Sequence, residues 1–213
     1  TGWLIFGNIS EEEAYNYLKN RADKGFNVIQ AVLVYSTKEL ESVNKMYWGG
    51  ADRINDEEYW HHVERIIKMA DKLGLYMALL PSWGSLLKNN LITSENVLVY
   101  GRFLAERLEK YSNIIWVLGG DIKADNYVEI YRKLGRYFKE KMPDKLITFH
   151  PFGRCASSMW FADDSWLDFN MFQSGHRRYD QCNLGAWDDT DNPSYYGEDN
   201  WKYVKNDYFA SNK

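Results

Sequence analysis

The chain has 213 residues, of which 45% are hydrophobic and 26% are charged. This length suffices for one domain with a sizeable core or for two small ones, and no apolar run approaches the roughly 20 residues that a membrane-spanning helix needs. The net charge is −4, acidic and basic residues are interspersed, and no basic patch stands out. This balance argues against nucleic acid or an anionic membrane as the partner.

The first part of the chain predicts strand, helix and strand in turn. The apolar residues 3–6 predict a short strand. Ser10 and Glu13 form a capping box that begins a helix, and Gly25 ends it. Residues 26–34 then predict a second strand, which completes one βα unit and begins another.

The same alternation continues along the chain, as the apolar periodicities indicate. Further strands are predicted at residues 75–80, 114–118, 146–150 and 167–174, helices at 60–73, 97–111, 127–138 and 198–210, and irregular loops at 36–55 and 177–197. Thr93 or Ser94 is expected to cap the helix at 97–111. Strands that alternate with helices in this way predict βαβ units and a parallel sheet.

The predicted strands favour a barrel over a flat sheet, because polar residues lie inside them. These residues are Asn27, Gln30, Thr148, Asp168 and Asn170. The glycine-rich motifs of nucleotide-binding sheets are absent. Six strands in 213 residues fall short of the eight strands and ~250 residues typical of a (β/α)8 barrel. We therefore predict the α/β class and the (β/α)8 TIM-barrel type, here an incomplete barrel of about six βα units that forms a single domain over residues 1–213, cut at both ends.

One acidic residue follows the most apolar strand. The run at 114–118 leads into Gly119 and Gly120, which permit a sharp turn, and then into Asp121. The carboxyl ends of parallel strands are where ligands bind and catalytic groups lie in α/β folds. Asp121 is therefore a candidate catalytic residue; the alternative is a surface aspartate that caps the next helix.

The other predicted strands end in side chains that suit carbohydrate. These are Trp83, His150, Gln173 and His176. An acid, hydrogen-bonding groups and a flat ring at one opening match the hydroxyl array of a sugar stacked on an indole. A carboxyl group there can protonate a glycosidic oxygen when a dry pocket or a neighbouring acid raises its pKa. Structural alternatives stay open: His150 and Gln30 as hydrogen-bonded core groups, and Trp83 as a plug in the barrel mouth.

Motifs for other chemistries are missing. No GxSxG sequence offers a serine nucleophile, and no HExxH spacing surrounds His61 and His62, so we predict neither a metal nor a cofactor. A metal-dependent hydrolase with Asp121, His150 and His176 as ligands is a less favoured alternative. Cys155 and Cys182 could form a bridge if the protein is exported, and two free thiols are the equally open alternative. The localisation stays open between export and the cytoplasm.

Seven segments, in order along nearly the whole chain, resemble the apiosidase-like glycoside hydrolases, a family of bacterial (β/α)8-barrel enzymes of which some act on branched plant pectin. The segments are Trp3–Phe6, Tyr17–Arg21, Lys24–Ala31, Ala78–Trp83, Tyr100–Leu104, Asn113–Asp121 and Asp168–His176. The Gly-Gly-Asp and Gln-Ser-Gly-His blocks are the specific ones in that context. The first strand departs from the family pattern, because it lacks the aspartate that usually precedes its Thr-x-Trp.

The resemblance implies a retaining glycosidase with Asp121 as the general acid/base and carbohydrate as the partner. Together with the residues at the strand ends, Trp3 and Gln30 complete the set that we expect to bind substrate. The family nucleophile is a glutamate on strand seven, expected beyond Lys213 and about 5–5.5 Å from the acid/base carboxyl, so residues 1–213 alone should be inactive. A carbohydrate-binding barrel without catalysis is the other alternative.

Overall fold

A computed structural model describes residues 1–7, 9–35, 57–153, 155–173 and 205. Helices and strands alternate through most of this part of the chain. In order they are α1 (Glu11–Asp23), β1 (Val28–Val32), α2 (Glu57–Lys72), β2 (Tyr76–Leu80), α3 (Ser85–Lys88), α4 (Val97–Leu108), β3 (Ile114–Ile122), α5 (Val128–Lys141), β4 (Ile147–Pro151) and α6 (Ser158–Phe161).

The four strands form one parallel sheet in the order β1-β2-β3-β4. Gln30 pairs with Ala78, and Ala78 in turn pairs with Ile115. Val117 pairs with Thr148 on the other side of β3. Because sequential strands are parallel neighbours and helices lie between them in the chain, the sheet is an arc of a (β/α) barrel. The predicted α/β fold class is confirmed.

The two faces of the sheet are covered differently, as alternation of side chains along a strand requires. One face packs against the helices in a large core that contains the largest fully buried side chains, among them Trp60, Trp116, Trp166, Tyr100, Phe138 and Phe149. On the other face, a smaller cluster is formed by Val32, Ala78, Leu80 and Val117. This inner cluster lies on the side that faces the barrel axis, and Trp83 packs against it.

An ion network holds α2 to α4. Glu64, 8% exposed, accepts hydrogen bonds from the Tyr111 hydroxyl at 2.6 Å and from Arg107 Nε at 2.7 Å. Arg107 also donates to both carboxylate oxygens of Glu57, at 2.8 and 3.1 Å. Burial alone would raise the pKa of Glu64, but hydrogen bonds from Tyr111 and Lys110 and nearby positive charges outweigh it and lower that pKa.

The predicted helix signals are confirmed at one terminus and wrong at another. Ser10 Oγ accepts the Glu13 backbone N–H at 3.2 Å while Glu13 Oε2 accepts the Ser10 N–H at 2.7 Å, which completes the capping box of α1. By contrast, α4 begins at Val97 without a side-chain cap. Thr93 instead caps the turn before the helix: its Oγ1 accepts the Glu95 N–H at 3.3 Å, and its own N–H donates to Asn96 Oδ1 at 2.8 Å.

The strand predicted at residues 3–6 is wrong, since those residues form turns. The chain pairs with β1 only briefly: Gly2 N–H donates to Gln30 O at 2.8 Å, and Val32 N–H donates to Trp3 O at 3.0 Å. The Ile5 N–H then donates back to Gly2 O at 3.0 Å. This local bond turns the backbone away from the sheet.

The strand predicted at residues 167–174 is also wrong over the described residues 167–173, of which only Phe172 forms a single antiparallel bridge, to Ala156. Its polar side chains explain this. Asp168 Oδ2 accepts the Ile147 N–H at 2.7 Å. In a regular sheet this N–H would donate to the backbone carbonyl of a neighbouring strand. Asn170 Oδ1 accepts the Ser158 N–H at 2.9 Å at the start of α6. The side chains thus replace a ladder of backbone bonds.

Several predicted elements lie outside the described residues, namely the loops at 36–55 and 177–197 and most of the helix at 198–210, of which only Lys205 is described, as helical. Across the described ranges, no helix combines the length and the apolar character needed to cross a membrane.

Candidate active site

The candidate site is built on the carboxyl end of β3, where the backbone takes an unusual path. Gly119 and Gly120 have φ of +97° and +112°, and Asp121 follows with φ of +47°. The strand does not stop at Leu118 as predicted but continues to Ile122, with a register shift against β4 between Gly119 and Ile122. This bulge changes the direction of the Asp121 side chain, which follows the glycines.

Close backbone packing makes both glycines necessary. A Cβ on Gly119 would overlap the carbonyl oxygen of His150, and one on Gly120 would lie 2.9 Å from the Trp83 ring. The Gly84 N–H also donates to Gly120 O at 3.0 Å. The end of β3 is therefore clamped between the end of β4 and the loop that follows β2, and Asp121 is held in a left-handed conformation that few residues other than glycine adopt.

Two of the sequence-predicted residues meet Asp121. Gln173 Nε2 donates to Asp121 Oδ1 at 2.6 Å. The backbone N–H of Asp121 donates to His150 Nδ1 at 3.4 Å, and the same nitrogen lies 3.7 Å from Asp121 Oδ1. The Asp121 side chain is 44% exposed, so its carboxylate is reachable by a ligand while one of its oxygens is engaged.

Burial favours the neutral form of His150. Burial lowers its pKa, and the nearby charge of Asp121 only partly opposes that effect. Because Nδ1 accepts the Asp121 N–H, the ring proton belongs on Nε2. His150 therefore serves as a fixed acceptor that locks the backbone of Asp121.

An aromatic wall stands beside the acid. The Trp83 ring lies 5.8 Å from the His150 ring and 5.4 Å from the Trp3 ring, centroid to centroid, and Trp3 is also 5.6 Å from His150. Tyr35 stacks on the other side of Trp83 at 5.2 Å. Tyr35 is not among the predicted site residues, although it directly follows the predicted strand at 26–34 and so lies at a strand end.

Gln30 and His176 are not brought to Asp121. Gln30 lies in the middle of β1 and lines a cavity of about 410 Å³ together with Val28, Ile115 and Met171, and Asp121 does not line that cavity. His176 lies outside the described residues. The predicted roles of both residues in substrate binding stay predictions.

In the part of the chain that the structure describes, no group of three or more His, Cys, Asp and Glu side chains could hold a metal ion. His176, one of the three ligands in the metal alternative, lies outside the described residues, and so does Cys182, the second cysteine of the possible bridge to the buried Cys155.

Parallel strands with intervening helices, and a half-exposed carboxylate with aromatic side chains at a strand end, are typical of a (β/α)-barrel protein with a ligand site at the carboxyl ends of its strands. The chain belongs to the apiosidase-like family: the model of the "Apiosidase-like, catalytic domain" matches residues 1–213. The family resemblance found in the sequence is thus confirmed.

Solved structures agree with this assignment. The chain is 36% identical to a glycoside hydrolase family 5 protein from Bacteroides vulgatus ATCC 8482, with a TM-score of 0.81, over 97% of this chain and 45% of that one. A second solved glycoside hydrolase is also 36% identical, with a TM-score of 0.81, over 96% and 47% of the two chains. An endo-1,4-β-D-mannanase from Thermotoga petrophila RKU-1 shares the fold at 12% identity, with a TM-score of 0.53, over 69% and 53%.

The chain therefore spans a little under half the length of its two 36%-identical relatives. No curated protein sequence matches it.

Proposed function

We propose that the full-length protein is a retaining glycosidase in which Asp121 is the general acid/base. The observation that carries the proposal is the environment of this carboxylate. It stands at the carboxyl end of a parallel strand, 44% exposed, with its backbone locked by His150 and Oδ1 engaged by Gln173. A carboxyl group held in this way beside an aromatic wall has the position that proton transfer to a bound glycoside requires.

In the proposed first step, protonated Asp121 gives its proton to the glycosidic oxygen. The bond from that oxygen to the anomeric carbon breaks as a nucleophilic carboxylate forms a bond to the same carbon. In the second step ionised Asp121 takes a proton from water, and the resulting hydroxyl displaces the nucleophile, so the anomeric configuration is retained. We expect the nucleophile to be a glutamate beyond residue 213, as the family pattern indicates.

The aromatic wall supports carbohydrate as the substrate class. Trp83 and Trp3 present apolar ring surface next to polar groups of Asp121 and His150, and sugars combine an apolar ring face with a rim of hydroxyls. We propose that the substrate is a plant-type polysaccharide or oligosaccharide, the class that the family resemblance suggests.

The experiment compares the full-length protein with its Asp121→Ala variant on a panel of plant cell-wall oligosaccharides. General acid–base catalysis is worth about 10²–10⁴-fold, and we expect a loss of that size in kcat/KM. Asp163→Ala, which removes an exposed carboxylate, is the matched control and should retain full activity. NMR of the product should show the anomeric configuration of the substrate.

Wild-type turnover in Asp121→Ala would refute the assignment. Saturable sugar binding by the full-length protein without turnover of any substrate would instead support the non-catalytic barrel.

A further inference from the structure

We infer that Gln173 is a positioning residue for the acid/base carboxyl: its side-chain amide engages Asp121 Oδ1 and directs the catalytic proton to Oδ2. This inference rests on the proposed function of Asp121 and departs from the sequence-based prediction that Gln173 binds the sugar. The amide nitrogen Nε2 lies 2.6 Å from Oδ1, a short contact that is typical of a hydrogen bond to a charged acceptor.

The backbone of Gln173 is fixed by its neighbours. Its N–H donates to Cys155 O at 3.2 Å, and the preceding Phe172 forms an antiparallel bridge with Ala156. The amide therefore approaches Asp121 from a segment that is fixed against the loop before α6. Because the backbone of Gln173 is already fixed, only the side chain loses conformational entropy when it binds the carboxylate.

Among the described residues, no donor competes with Gln173 for Asp121 Oδ1. His150 Nδ1 lies 3.7 Å from Oδ1, which is beyond hydrogen-bond distance, and it accepts the Asp121 N–H at 3.4 Å. His150 is the titratable group in contact with Asp121 within the described residues, and its burial lowers its pKa and so favours its neutral form. Gln173 is thus the side-chain donor that holds this carboxylate in the described part of the chain.

The consequence is a carboxyl group with two unequal oxygens. Oδ1 receives the amide proton of Gln173, so a proton on Asp121 is favoured at Oδ2, which has no partner among the described residues. The left-handed backbone of Asp121, fixed by Gly119 and Gly120, sets the side-chain direction that makes this division possible. A general acid with one defined proton position needs no rotation of its carboxyl before it protonates the substrate.

The test uses four variants of the full-length protein: Asp121→Ala, Gln173→Met, Gln173→Glu and the double variant Asp121→Ala/Gln173→Met. Methionine keeps the length of the side chain and removes its donors. We expect Gln173→Met to lower kcat by about 10- to 100-fold, the size of a hydrogen bond to a charged group, with KM nearly unchanged.

Gln173→Glu adds a readout that a purely structural role would not move. At neutral pH the introduced carboxylate would repel Asp121, but once protonated it can again donate to Oδ1. Its activity relative to Gln173→Met should therefore recover as the pH falls. In the Asp121→Ala background, Gln173→Met should have no further effect, because two groups that act as one unit are not additive.

The outcomes separate the two proposals. If Asp121→Ala retains wild-type activity, the proposed function fails. If Asp121→Ala is inactive while Gln173→Met raises KM at unchanged kcat, Asp121 stands as the acid/base and the inference about Gln173 is overturned. It is also overturned if Gln173→Glu fails to recover at low pH while its thermal unfolding matches that of the wild type.

Discussion

Removal of the Glu64 side chain should destabilise the protein more than removal of any exposed carboxylate does. Glu64 is 8% exposed and accepts hydrogen bonds from Tyr111 and Arg107, so Glu64→Ala leaves a mostly buried guanidinium and a phenol without their anionic partner. Loss of one member of a buried pair costs about 3–5 kcal/mol. Because Arg107 keeps two bonds to Glu57, we expect the lower part of that range, about 3 kcal/mol.

Glu64→Gln should cost less, about 1–2 kcal/mol, because the amide oxygen can still accept one hydrogen bond. The free energy of unfolding is measured by urea titration at pH 7 for both variants and for Glu106→Ala, an exposed residue of α4 that should stay within about 0.5 kcal/mol of the wild type. A double-mutant cycle of Glu64→Gln with Tyr111→Phe should give a coupling energy of about 0.5–3 kcal/mol. Additive losses, or a Glu64→Ala variant as stable as Glu106→Ala, would refute this account of the α2–α4 contact.

Three further predictions follow from the site. Gly119→Ala should destabilise the fold by about 3 kcal/mol or more in the same titration. A positive φ costs about 1–3 kcal/mol for residues other than glycine, and the added Cβ would overlap His150 O. A change below about 1 kcal/mol would contradict the close packing of β3 against the end of β4. Burial lowers the pKa of His150 from its ordinary value of 6.5. Between that value and the lower native pKa, only the unfolded chain binds the proton, so the free energy of unfolding should decrease as the pH drops below 6.5. The decrease should be smaller in His150→Asn. Trp83→Ala should weaken carbohydrate binding by at least about 10-fold if the indole is a stacking platform, measured as KM or by calorimetry; unchanged binding at intact stability would leave Trp83 as a plug of the barrel mouth.

Much of the fold follows from short-range patterns in the sequence. The capping box at Ser10 and the apolar periodicity of α2, α4 and α5 predict helices because their signals are local. The proximity of Asp121 to His150 was also predictable, since both end neighbouring parallel strands and strand ends meet at one edge of the sheet.

The two wrong strand predictions have different physical causes. In one segment side chains accept backbone hydrogen bonds, and in the other a short-range backbone bond turns the chain. Asp168 and Asn170 bind backbone N–H groups and interrupt the strand that the apolar residues around them predict. The bond from Ile5 N–H to Gly2 O turns the first residues out of the sheet. Likewise, the hydrogen bond from Gln173 to Asp121 joins residues far apart in the chain, and no local pattern carries that information.

The central claim, that Asp121 is the acid/base of a retaining glycosidase, is tested most directly by azide rescue of the full-length Asp121→Ala variant. An aryl glycoside with a good leaving group needs no proton for the first step, so the variant should form the glycosyl-enzyme and stall, because no base activates water. Azide requires no base. The account predicts that azide restores turnover and yields a glycosyl azide with the anomeric configuration of the substrate. Undiminished hydrolysis by the variant, or a slowed variant that azide does not accelerate, would contradict it.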